Sequence, residues 1–442
     1  MTERLFQAAA EPADLVISGA RVVDPGSGLD GDALDLRIHN GVVAEIGGGL
    51  EGPEVIDARG LTVLPGLIDP HVHLRTPGQE LKEDIESGTR AAAAGGFVAI
   101  LAMPNTTPTV DSVPVLEGLI ARARAQARVA TGFIVAISRG LEGRELTDMG
   151  ALADAGAAAF SDDGRPVERA ALLRRALQYS RITDLRLTLH EEDMSLADGG
   201  QMHEGAVSAE LGLQGHPSIA ESVMIGRDIQ IAAFEGTGLH ICHVSAAESV
   251  AEIRRAKAAG IEITAEVSPH HLCLTDEVVR HLDPASGKMN PPLRSAADRA
   301  ALIEALQDGT LDCIATDHAP HLALDKDVPW EQAANGVIGL ETALPAIYTH
   351  LVEPGLIGLS TAIERMTAGP AAAFGLAQPT IRVGSPANLA LWDFGREFVV
   401  EPPYQSRSTN CAFAGQRLRG VCSLTIAGGT VAHRSVGAAV AS

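Results

Sequence analysis

The sequence predicts an α/β protein, a (β/α)8 TIM barrel with a small composite β-sandwich domain formed by its N- and C-terminal segments. Three observations predict it. Short β-like runs broken by Gly, Pro and Asp occupy both ends, apolar runs alternate with Ala-rich helical stretches between them, and polar side chains fall where the apolar runs stop.

At the N-terminal end the β-like runs cover residues 15–18, 21–23, 36–38 and 42–46, and the C-terminal end repeats the style at 387–393, 398–400 and 424–429. The two ends are therefore expected to pair into one sheet domain, residues 1–64 with 383–442, around a barrel domain of residues 65–382. Eight apolar runs in the middle end near His71 to His73, Met103, Ser138, Asp163, His190, His243, His270 and Asp317, the first of them read as one strand from residue 61 to 68. Helix-like segments at 82–94, 113–127, 166–180, 246–259 and 296–307 lie between them. Eight such units favour a closed barrel over an open sheet, because closure brings every strand end to one face.

The chain of 442 residues has room for a barrel and a smaller domain. Its 46% hydrophobic and 20% charged residues are the balance of a soluble globular enzyme. A net charge of -22 without a Lys/Arg stripe argues against nucleic acid, and leaves open a local cationic pocket for a small anion. No secretory signal is legible at the start, and the longest apolar stretch, 91–104, is shorter than the roughly 18 residues of a membrane helix. Five scattered cysteines without a C-x-x-C pair suit a reducing cytoplasm, and Cys242 reads as a buried thiol. A cytoplasmic enzyme without membrane contact is expected.

His71 and His73, two apart on a strand, project to the same side and can reach one metal ion. His190 and His243 close two further apolar runs; one such imidazole reads as a core histidine, whereas four at equivalent strand ends read as ligands. His240, three residues before His243, reads as structural. Asp162 and Asp163 end the fourth run, and one of them can bridge two ions while the other caps the following turn. The run ending Thr316-Asp317-His318-Ala319-Pro320-His321 places Asp317 to ligate a metal and to take a proton from the attacking water. His318 and His321 are open between ligand, orienting group and substrate contact. Arg75 and Asn105 are candidate readers of a carboxylate and an amide, since a guanidinium matches a carboxylate with two parallel hydrogen bonds. Residues 325–339 are a candidate lid.

Pro65-Gly66-Leu67-Ile68-Asp69-Pro70-His71-Val72-His73-Leu74-Arg75, with Met103-Pro104-Asn105-Thr106, Phe160-Ser161-Asp162-Asp163-Gly164, His190-Glu191-Glu192-Asp193, Cys242-His243-Val244-Ser245, Lys288-Met289-Asn290-Pro291-Pro292-Leu293-Arg294 and the Asp317 motif, resembles the type I dihydroorotases of the amidohydrolase superfamily over nearly the whole chain. The resemblance implies reversible, zinc-dependent cyclisation of N-carbamoyl-L-aspartate to L-dihydroorotate in pyrimidine biosynthesis, with one or two ions per chain. It implies His71, His73, His190, His243 and Asp317 as metal ligands and Asp163 as the bridging carboxylate, with Asp162 second in line. Asp317 is then the catalytic base, Arg75, Asn105 and His321 hold the substrate's carboxylate side, and Asn290 contacts the amide ring. A homodimer and an association with aspartate transcarbamoylase are the partners it implies.

Two rivals share these motifs. Allantoinases and hydantoinases usually bridge their metals with a carbamylated lysine, and the matching stretch here offers Asp162-Asp163 and no lysine. A non-catalytic relative serving aspartate transcarbamoylase would lack ligands, whereas every expected ligand is present. Asn388 departs from the Asp common in the superfamily's sheet domain, far from these motifs.

Overall fold

The computed structural model describes residues 3–435; residues 436–442, assigned above to the sheet domain, lie outside the described residues. The first strands are β1 (Leu15–Asp24), β2 (Leu29–His39), β3 (Val42–Gly47), β4 (Val55–Asp57) and β5 (Thr62–Pro65). The two runs at 15–18 and 21–23 are one strand. Its register against β2 shifts between Ile17 and Val22, where Gly19 takes φ 74°, a bulge that lets Leu15, Ile17, Ala20 and Val22 all reach the sheet's own core.

The barrel strands follow as β6 (Leu67–Val72), β7 (Phe97–Ala102), β8 (Ala130–Val135), β9 (Ala159–Phe160) and β10 (Thr188–Leu189). A side excursion pairs β11 (Met202–His203) with β12 (Gly215–His216), and β13 (Leu239–Ile241), β14 (Ile263–Val267) and β15 (Cys313–Ile314) complete the set. β6 to β9 form one parallel sheet and β10, β13, β14 and β15 another. Parallel bridges Phe160 to Leu187 and Val72 to His318 join the two at both seams, so the eight strands close into the expected barrel. Leu67, Phe97, Phe160, Leu189, Ile241 and Val267 of its strands belong to one continuous core.

The expected first barrel strand, 61–68, is two strands. Thr62–Pro65 pairs with β1 and the sheet, while Leu67 starts the barrel. Gly66 divides them because a Cβ there would stand 2.2 Å from Val98 Cγ1, a place that only glycine can occupy. The C-terminal strands β16 (Leu389–Val399), β17 (Arg417–Ala427) and β18 (Thr430–Arg434) then extend the sheet in the order β18-β17-β16-β5-β1-β2-β3. β16 lies antiparallel to β5, Leu389 opposite Pro65 and Trp392 opposite Thr62, so the two chain ends share one sheet. Asn388 serves a local turn there, its Oδ1 accepting from Gly428 N–H at 2.7 Å.

Candidate metal centre

Strand ends at one mouth of the barrel deliver the predicted side chains. His71 belongs to β6, and His73, one residue past it, is kept in register by donating its N–H to His318 O at 2.8 Å. Asp163, His190, His243 and Asp317 each stand one to three residues past β9, β10, β13 and β15. Arg75, His243 and Asp317 hold φ of 55°, 31° and 47°. Left-handed backbone costs a non-glycine residue of order 1–3 kcal/mol, and such strain gathers where a side chain must be re-aimed for function.

Asp163 is the centre of the cluster. Its Oδ1 lies 3.4 Å from His71 Nε2, 3.7 Å from His243 Nε2 and 4.0 Å from His190 Nδ1, and its Oδ2 lies 3.5 Å from His73 Nε2. Asp317 Oδ1 adds 3.1 Å to His73 Nε2 and 3.5 Å to His71 Nε2. Two sets of ligand atoms close enough to hold an ion, His71-His73-Asp163 and Asp163-His190-His243, share Asp163. Asp162 is turned away, accepting from Ser138 N–H at 2.9 Å and from its hydroxyl.

The outer nitrogens fix which inner ones are free. His71 Nδ1–H donates to Glu266 at 2.6 Å, His73 Nδ1–H to Asn105 Oδ1 at 2.9 Å, and His190 Nε2–H to Glu192 at 2.9 Å. Each assignment leaves the nitrogen facing Asp163 as the one an ion would take, the arrangement a metal-ligating imidazole needs. His71 Nε2 and Asp163 Oδ1 are buried without a hydrogen-bond partner. Desolvation would raise the Asp163 and Asp317 pKa values, yet the His71 charge beside both, with the other imidazoles, holds each below the usual carboxylate range. Burial disfavours a charged His71, but Asp163 and Glu266 raise its pKa well above the ordinary value, so an ion binding there displaces a proton. Anionic oxygens, imidazole lone pairs and orphaned buried atoms fit a divalent cation. Cys242 lies near His71 and Glu266; its buried Sγ faces the Thr188 hydroxyl at 2.9 Å, and burial pushes the thiol up to about 12.

The cluster floors a cavity of about 200 Å³ lined by His73, Arg75, Asn105, Asp163, Gly164, His190, His243, Asn290, Asp317, Ala319, His321, Asn335 and Gly336. Lys82 Nζ can only donate to His321 Nδ1, at 3.3 Å, so the His321 proton sits on Nε2 and is given to Asn335 O at 2.8 Å. Burial and the neighbouring Arg75 charge push the His321 pKa down to about 3, keeping it neutral. Arg75 Nε donates to Pro320 O at 3.1 Å, while its Nη2 faces the protonated Nε2 of His321 at 3.3 Å and finds no acceptor there. Among the described residues Arg75 makes no ion pair, although it is 8% exposed. Asn105 has both amide ends occupied, by His73 and, at 3.4 Å, by Asp163 Oδ2. Asn290 Nδ2 donates to Glu192 Oε2 at 2.9 Å. His318 points away from the cavity, its Nδ1 accepting from Gly339 N–H and its Nε2 facing Glu83 at 3.3 Å. A wider groove of about 810 Å³ along the outer helices, around Arg174 and Phe234, holds no such cluster.

Residues 60–249 match the family described as Dihydro-orotase-like. A dihydroorotase of Anaeromyxobacter sp. (strain K) is 49% identical over 428 residues, covering 95% of this chain and 98% of that protein. The chain belongs to the dihydroorotase family. Another dihydroorotase, of Geobacter sulfurreducens, is 47% identical over 95% of this chain and 99% of its own. Among solved structures, the L-hydantoinase of Arthrobacter aurescens superposes with a TM-score of 0.85 at 26% identity, covering 95% of this chain and 96% of that one. The barrel with its added sheet is thus shared with hydantoinases, and the identity to dihydroorotases is far higher.

The sequence of this dihydroorotase-family chain assigns no role to Glu266, Glu192 or His216, although Glu192 stands in the His190 motif. Glu266 sits buried inside β14, and its second oxygen meets His240 Nε2 at 3.1 Å, so the histidine read as structural is one step from His71. Glu192 takes His216 Nε2–H at 3.0 Å besides His190 and Asn290. A charged residue inside a buried strand was the available signal for Glu266. His216, on the excursion strand β12, carried none.

Proposed function

We propose that the chain catalyses the reversible interconversion of L-dihydroorotate and N-carbamoyl-L-aspartate in pyrimidine biosynthesis, with His71, His73, Asp163, His190, His243 and Asp317 holding its metal. One observation carries the choice of substrate: Arg75 is a buried guanidinium without an ion pair, on the wall of a cavity floored by the His/Asp cluster. Burial pulls its pKa down to about 10 against the attraction of Asp317 and Asp163. A buried unpaired charge is costly, and a ligand carboxylate relieves it. Hydantoin and allantoin rings bear no carboxylate, which separates this reading from the structural neighbours.

When bound, a divalent ion supplies Lewis acidity, bringing the pKa of water to about 7 and polarising a carbonyl. The chain's own groups do the rest. Arg75 seats the substrate carboxylate, with the neutral His321 beside it, and Asn290 stands over the ring. In hydrolysis the water oxygen bonds to the ring carbonyl carbon, Asp317 takes the water proton, the C–N bond breaks, and Asp317 returns the proton to the departing nitrogen. Ring closure is the reverse. The same reading takes zinc as the ion, one or two per chain, a homodimer in the cytoplasm, and aspartate transcarbamoylase as a candidate partner.

Ureide formation from dihydroorotate, by the chain alone, before and after chelation, tests this. Chelator-sensitive turnover restored by zinc is expected; turnover confined to hydantoin or allantoin, or none by the metal-loaded chain without transcarbamoylase, overturns it. Asp317→Asn should lower turnover by about 10²–10⁴-fold with substrate Kd little changed. Full turnover by that variant removes Asp317 as the base.

A further inference from the structure

Lys326, on the short helix Ala323–Lys326, is 3% exposed and forms no ion pair among the described residues. Its ammonium donates instead to three backbone carbonyls: Pro284 O at 2.9 Å, Lys288 O at 3.0 Å and Ala334 O at 2.7 Å. Three donors meet three acceptors, so the group is fully satisfied. Burial and the nearby Lys288 charge bring its pKa down to about 7 against the pull of Asp283 and Asp325. Burying an ammonium away from carboxylates is expensive, and the carbonyls are what compensates it.

The three carbonyls belong to two segments that lead to the cavity wall, residues 284–290, which begin as the short helix Pro284–Gly287, and residues 334–336. Lys288 stands two residues before Asn290, and Ala334 precedes Asn335 and Gly336, all three cavity residues among those named above. Lys288 O also takes Gly336 N–H at 3.0 Å, and Asn335 O takes His321 Nε2–H. Gly336 is closely packed there: a Cβ would lie 2.6 Å from Ala319 Cβ, so the backbone of this segment is seated against Ala319. The preceding residue, Asp325, is tied to Lys82 at 3.0 Å, and Lys82 to His321. Lys326 is therefore the knot at which residues 284–290, residues 334–336 and the His321 side of the cavity meet.

We propose that Lys326 is a positioning residue for substrate binding: by holding residues 284–290 against residues 334–336, it sets Asn290 and Asn335-Gly336 at the cavity wall. This rests on the reading of that cavity as the dihydroorotate site. Lys326 itself touches neither the cluster nor the cavity.

Lys326→Met keeps the stem and removes all three donors. The expected result is a KM for dihydroorotate raised about ten-fold or more, the scale of one lost hydrogen bond to a charged group, with kcat changed less and metal content unchanged. Hydrogen exchange read by mass spectrometry should speed up in residues 284–290 and 333–339 and not in the barrel strands. Unchanged KM and exchange, or exchange faster throughout the molecule, overturns the inference in favour of a purely structural lysine. If Lys326→Met does not fold, Lys326→Gln, which retains two N–H donors, serves in the same comparison. Failure of the wild-type chain to turn over dihydroorotate would sink the substrate reading alone, because local exchange still decides whether Lys326 joins the two segments.

Discussion

Arg75 and Glu266 show how much single residues decide here. Arg75 presents a planar fork, and a lysine at the same place offers only a point charge on a flexible stem. Arg75→Lys should raise the KM for dihydroorotate by about 10–100-fold, the equivalent of losing one charge-assisted hydrogen bond, while metal content stays the same. An unchanged KM would remove Arg75 from the carboxylate site. Glu266 acts through His71: at 2.6 Å it holds the Nδ1 proton and so keeps Nε2 free toward Asp163. Glu266→Gln should weaken metal affinity by about 10–100-fold, read by competition with a chromophoric chelator, and an unaltered affinity would show that His71 needs no such partner.

Strand ends and the turns after them form the next scale, and His271 is the residue that tests it. It lies on the short helix Pro269–Cys273 after β14, taking Ser268 Oγ–H on Nδ1 at 2.6 Å and giving Nε2–H to Pro291 O at 3.0 Å. That joins the end of one barrel strand to the loop carrying Asn290. Burial, against the pull of the Pro291 carbonyl, lowers its pKa from 6.5 to about 3. The unfolded chain therefore takes up a proton below pH 6.5 that the folded chain refuses. His271 contributes its stability fully above pH 6.5 and loses it as pH falls toward about 3. Replacing it in His271→Asn should flatten the acid side of a stability-against-pH curve from denaturant midpoints. A curve of undiminished slope would assign the acid loss to other groups.

At the scale of the molecule, the sheet is seated at the end of the barrel away from the metal cluster. Trp392 of β16 is 1% exposed, and its ring closes over Gly96, the residue before β7, where a Cβ would stand 2.5 Å from Cζ2. Phe394 stacks beside it with centroids 5.9 Å apart. Trp392→Ala should cost about 3–5 kcal/mol, seen as a lower Tm, because the sheet cannot collapse into the space left. Metal affinity and KM should stay near wild type, since the cluster stands at the opposite strand ends. A matching loss of metal affinity would mean that sheet and active face are coupled through the barrel.

The sequence by itself determined the barrel, its eight strand ends and the joining of both chain ends in one sheet, because apolar periodicity and strand-end polarity are local patterns. It also named the residues that come together around Asp163. Asp162 and Asp163 are neighbours at the same strand end, and Ser138, three residues past β8, takes Asp162 out of the cluster. His318 and His321 were equally open until Glu83 and Gly339 claimed the first and Lys82 and Asn335 the second. Glu266 reaches His71 across 195 residues of chain, and Lys326 gathers carbonyls from two separate segments. Closure of the barrel sets those distances, and a one-dimensional pattern does not contain them: which buried polar group finds which partner was decided by tertiary structure alone.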